Sequence, residues 1–89
     1  MKYALPYTEK VAALALRMNR DYWRYRKEAD IAFERGELDK ASDLADDVEE
    51  MGVLYAHIGL ALRPRDEHEG LREFIRETRR WANVIWKAH

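Results

Sequence analysis

Apolar side chains recur along most of this chain at alternating steps of four and three residues, and the pattern is interrupted at Gly36 and again around Pro64. Val11, Ala15, Met18, Tyr22, Tyr25, Ala29 and Ala32 make the first stripe. Ala41, Leu44, Val48, Met51, Tyr55, Ile58 and Leu62 make the second, and Leu71, Phe74, Ile75, Thr78, Trp81, Ala82 and Ile85 the third. Steps of three and four return a side chain to the same face of a helix, so each stripe predicts one amphipathic helix. The spans are about 8–35, 38–62 and 66–88, with Thr8 read as the first N-cap. Gly36 supplies the left-handed turn residue that ends the first helix, and Pro64 stops the second.

Two short turns make sequential helices antiparallel neighbours. The expected fold is all-α: an antiparallel three-helix bundle in a single domain, residues 1–89, or a dimeric helical bundle in which two such chains share faces. Composition agrees, since Ala, Glu, Lys, Leu and Arg supply 47 of 89 residues, a share that signals long helices. The chain has no Cys, which removes disulfides, thiolate metal sites and Cys nucleophiles. Its hydrophobic share of 47% is too high for disorder, and no apolar run approaches the ~20 residues of a bilayer span. No membrane partner is expected, and Met1 to Pro6 lacks the apolar core of a secretory signal, so the expected location is cytoplasmic.

Charge is unevenly placed behind a formal net of −1. Residues 1–35 carry eight basic and five acidic groups, 36–62 one and seven, and 63–89 seven and five. The acidic flank Asp39, Asp43, Asp46, Asp47, Glu49 and Glu50 is expected to complement basic helices 1 and 3, within the chain or across a self-association contact. One rigid helix cannot wrap those carboxylates around an ion, and no Asp-x-Asp-x-Asp-Gly loop occurs. The three histidines, His57, His68 and His89, form no Glu-x-x-His or His-x-x-x-His pair, and His57 is placed at the core edge. No catalytic residue, metal site or cofactor is expected.

Gly52 and Gly59 interrupt the second helix at a cost of roughly 1 kcal/mol each relative to Ala. They share a side with Ala41, Ala45 and Ala56, which would let another backbone approach closely. Apolar residues also lie beside or opposite the main stripes: Leu16, Trp23, Val53, Leu60 and Trp86. This surplus is the basis for the expected function, a non-enzymatic protein–protein interaction module (adaptor, regulator or inhibitor) whose partner is another protein, itself as a homodimer, or both.

The alternative is a helical nucleic-acid binder using Arg20, Arg24, Arg72, Arg76, Arg79 and Arg80, whose aromatic neighbours could stack on bases. Against it, Glu69, Glu73 and Glu77 stand three residues before Arg72, Arg76 and Arg80 and would pair with them. Two local resemblances add to this. Residues 29–50, with Ala-Phe at a helix end, a Gly turn and Ala five residues on, resemble the hairpin of a tetratricopeptide repeat, over about a quarter of the chain and without a second copy. The Arg63-Pro-Arg-Asp-Glu-His68 spacing resembles the Arg-x4-His motif of HEPN ribonucleases. That remote alternative would imply that Arg63 stabilises phosphoryl charge and His68 acts as acid or base.

Overall fold

The first stripe lengthens into a 31-residue helix, α1, over Ala4–Glu34, about 46 Å at 1.5 Å per residue. A computed structural model describes the backbone of residues 4–89 and the side chains of residues 13, 14 and 16–89. Helix α1 starts four residues before the expected Thr8 cap, because Pro6 falls in the first turn, where its missing N–H costs nothing. Val11 and Ala15 lie outside the described side chains, whereas Met18, Tyr22, Ala29 and Ala32 of the same stripe are buried.

Gly36 takes φ +78°. Its N–H donates to the carbonyl of Phe33 and that of Glu37 to the carbonyl of Ala32, the paired bonds of a Schellman turn. Helix α2, Leu38–Leu62, then runs back along α1. Arg63 and Pro64 are extended, as a pre-proline turn requires, and a 3-10 turn at Arg65–Glu67 leads into α3, His68–Ala88. Asp66 and Glu67 therefore sit in that turn, not in the α-helix expected to begin at 66.

Helix α2 packs on both α1 and α3, giving the three-helix bundle. Its buried residues are Ala41, Ala45, Val48, Gly52 and Ala56, the small-residue side, with the larger stripe residues Leu44, Met51, Tyr55 and Ile58 only half-buried and Leu62 exposed. A Cβ on Gly52 would come within 2.9 Å of the Tyr22 ring of α1, and one on Gly59 within 2.9 Å of Leu71 of α3. The two glycines thus give a neighbouring side chain the room that any larger residue would take, which offsets their helix cost.

Six of the ten buried apolar residues described are alanines, with Tyr22, Val48 and Thr78 the largest fully buried side chains. Small residues bring helices close but bury little area each, about 0.8 kcal/mol per methyl-sized group. The molecule is correspondingly long and thin, 52 × 22 × 13 Å, with a radius of gyration of 15.0 Å. A compact chain of this length has a radius of about 12 Å.

Candidate interaction surface

Helices α1 and α3 meet through long side chains, and the centre of that meeting is polar. The Tyr22 hydroxyl is 2.6 Å from Thr78 Oγ1 and accepts from Arg26 Nη1 at 2.7 Å. Arg26 also forks onto Glu77, Nη1 to Oε2 at 2.8 Å and Nη2 to Oε1 at 2.5 Å. The guanidinium lies 4.7 Å from the Trp81 ring centre and 5.4 Å from that of Trp23, with only 14% of its side chain exposed. Such a desolvated, bidentate and ring-stacked arginine holds two helices at one register. Trp81 adds a second link by donating its indole N–H to Asp30 at 2.8 Å.

The Glu77 bond raises the Arg26 pKa further above its ordinary value, and Arg26 holds the Glu77 carboxyl below the usual 4.5. A carboxyl lowered in this way stabilises the fold fully above pH 4.5, and that contribution drains away as pH falls through the depressed value. Thermal stability is therefore expected to be flat from neutral pH to about 5 and to fall below 4.5, with Glu77→Gln reducing the acid slope. The Glu77 side chain is 44% exposed, so after solvent screening the pair contributes at most about 1 kcal/mol. An unchanged acid slope in Glu77→Gln, read by circular dichroism melts, would contradict the assignment.

Glu77 was expected to pair with Arg80; it reaches across to Arg26, and Arg80 turns to Glu73 at 2.7 Å. The fork from α1 satisfies both carboxylate oxygens, which a single neighbour on the same helix cannot do as well. Arg72 with Glu69 and Arg76 with Glu73 pair along α3 as their spacing of three predicts, and Arg76 also reaches Glu69, two turns away. Arg79 bonds Glu49 of α2, and Arg24 pairs with Asp21. Of the six arginines expected to meet nucleic acid, Arg20 alone has no acidic partner among the described residues. Around Arg63, the guanidinium pairs with Glu67, and His68 Nε2 donates to the Arg63 carbonyl at 3.0 Å, which closes the turn.

Of the acidic flank, Glu49 reaches α3 and Asp39 pairs with His89, while Asp43, Asp46, Asp47 and Glu50 make no ion pair among the described residues. His57 is exposed, not at the core edge: it lines a shallow concavity on the outer side of α2 with Val53, Leu54 and Arg79 of α3. Among the described residues no three His, Asp or Glu side chains group as metal ligands, and no helix is long and apolar enough to cross a membrane.

The five residues expected to contact a partner do not share one surface. Leu16 and Trp23, 71% and 51% exposed, lie on the edge of α1 that faces α3. Trp23 stacks edge-on against Tyr22 and donates to Asn19. Val53 and Leu60 are half-buried on the flank of α2 beside α3. Trp86 packs against the alanine core, where its buried N–H has no partner among the described residues.

A different set of residues comes together on the far side of the hairpin. Tyr25 of α1 and Asp47, Glu50, Met51 and Leu54 of α2 line an open groove. Helical periodicity places Leu14 on the same side of α1, and Ile58 and Leu62 on the same side of α2. Leu14, Leu54 and Leu62 are each about half exposed there. The sequence signal for this face is the stripe itself: periodicity points its large members at a core that alanines fill. Comparison with protein-family models, curated proteins and solved structures finds no match to this chain.

Proposed function

We propose that this chain is a non-enzymatic helical interaction module that acts by docking its apolar surface onto protein. One observation carries the reading: the buried core is mostly alanine, while Leu14, Leu16, Trp23, Ile31, Leu54, Leu62 and Val84 remain exposed. Large apolar side chains contribute the most free energy when buried, roughly 1.5–3 kcal/mol each, and here that gain is available only to a second molecule. Nucleic-acid binding is the competing class, but phosphates would have to displace carboxylates from five of the six arginines it would use. Those paired arginines favour the protein contact.

A photo-reactive phenylalanine analogue placed at position 16, 23, 53, 54 or 60 tests this. Illumination in cells is expected to give a discrete adduct with one protein species at one or more of these sites, and none at the polar turn position 67. Smears at all positions, or no adduct at any, would overturn the reading. A gel shift on DNA or RNA that disappears steeply with salt would put the competing class in its place.

A further inference from the structure

We infer that the groove between α1 and α2 takes a second copy of this chain, so that two hairpins close into one four-helix core. This rests on the interaction-module reading and names its partner. The groove is apolar along its floor, with Leu14, Tyr25, Met51, Leu54, Ile58 and Leu62 on one side of the hairpin. Its two margins carry opposite charge. On the outward side of α1 stand Arg17, Arg20, Arg24 and Arg35, all exposed, against Asp21, which pairs with Arg24, and Glu28, so this edge is net basic. On the outward side of α2 stand Asp43, Asp47 and Glu50, likewise exposed and making no ion pair among the described residues.

A two-fold axis that lays α1 of one chain beside α2 of the other sets each basic margin against an acidic one, twice over. The alternative register, α2 against α2, would bring like charges together and is disfavoured. Isologous pairing needs a surface complementary to itself, and a face with one basic and one acidic edge meets that need. The size also suits. The shared length of the hairpin is about 37 Å, and two helices span about 20 Å, so roughly 700 Å² per chain would be covered, close to the ~800 Å² of a standard interface. Large side chains from α1 and α2 would then meet their counterparts as in other four-helix cores, leaving α3 on the outside.

The test is sedimentation equilibrium of the full chain up to roughly 200 μM, a range that detects even weak pairing. A dimer is expected, tighter at about 50 mM than at 500 mM NaCl because the margins are screened. Leu54→Glu is expected to weaken it at least ~10-fold while leaving the helical circular dichroism unchanged. Two charge-reversed chains make the decisive pair, Arg17→Glu with Arg24→Glu in one and Asp47→Arg with Glu50→Arg in the other. Each alone is expected to dimerise at least ~10-fold more weakly than wild type. Mixed one to one, they are expected to recover the wild-type dimer, because both margins are again opposite.

A general loss of structure cannot produce recovery on mixing. A wild-type monomer throughout the concentration range overturns the inference, as does a dimer indifferent to Leu54→Glu or a mixture that stays monomeric. None of these results touches the interaction-module reading, which fails if the photo-cross-linking gives no discrete protein adduct or if a salt-sensitive gel shift on nucleic acid appears.

Discussion

Tyr22→Ala is expected to lower the melting temperature by at least ~15 °C. Truncating a buried aromatic costs about 3–5 kcal/mol, and a domain of this size holds roughly 5–13 kcal/mol in all. Tyr22 is 1% exposed and packs against Trp23, Phe74 and the bare face of Gly52. Its removal also leaves the Thr78 hydroxyl buried without a partner and takes one acceptor from Arg26. Tyr22→Phe separates the contributions: it keeps the ring and loses the hydroxyl, for about 1–2 kcal/mol. Circular dichroism melts of both variants check this. A Tyr22→Ala protein that melts within ~5 °C of wild type would remove Tyr22 as the hub of the bundle.

Gly52→Val is expected to cost about 3 kcal/mol, at the upper end of overpacking penalties. Helix propensity alone argues the other way, since replacing a mid-helix glycine commonly helps. The sign is set by what the new Cβ meets: the Tyr22 ring at 2.9 Å and the Thr78 methyl at 3.4 Å. That ring is buried and anchored at its hydroxyl by Thr78 and Arg26, so it cannot swing aside as a free side-chain end would. Urea unfolding provides the measurement. Combining Gly52→Ala with Tyr22→Leu is expected to cost less than the sum of the two single changes, because the smaller side chain vacates the contact. Strict additivity would mean that the clash is not the cause.

The three helices, their stops at Gly36 and Pro64 and the small-residue side of α2 were legible in the order of residues. Each is a local matter: a 3.6-residue period, a left-handed turn or an extended pre-proline needs only near neighbours to be expressed. Thr78 is the one polar member of an apolar stripe, and its hydroxyl meets Tyr22 fifty-six residues away across the bundle. The intrahelical pairs of Arg72 and Arg76 were equally readable, being three residues from a glutamate.

What no local pattern could supply was which of two possible partners wins. Glu77 had Arg80 three residues away, yet it takes Arg26, fifty-one residues distant, because the folded bundle offers two parallel N–H donors in place of one. In the same way periodicity marks a face as apolar without saying whether that face meets this chain or another. Leu44, Met51, Ile58 and Leu62 share a stripe with buried Val48, but the glycines and alanines of α2 draw the neighbouring helices toward the small side and leave the larger residues at the margin. Residue order determined the rods and their greasy sides. Tertiary packing decided which sides close on each other, since close approach favours the smallest side chains and turns the surplus of large ones outward.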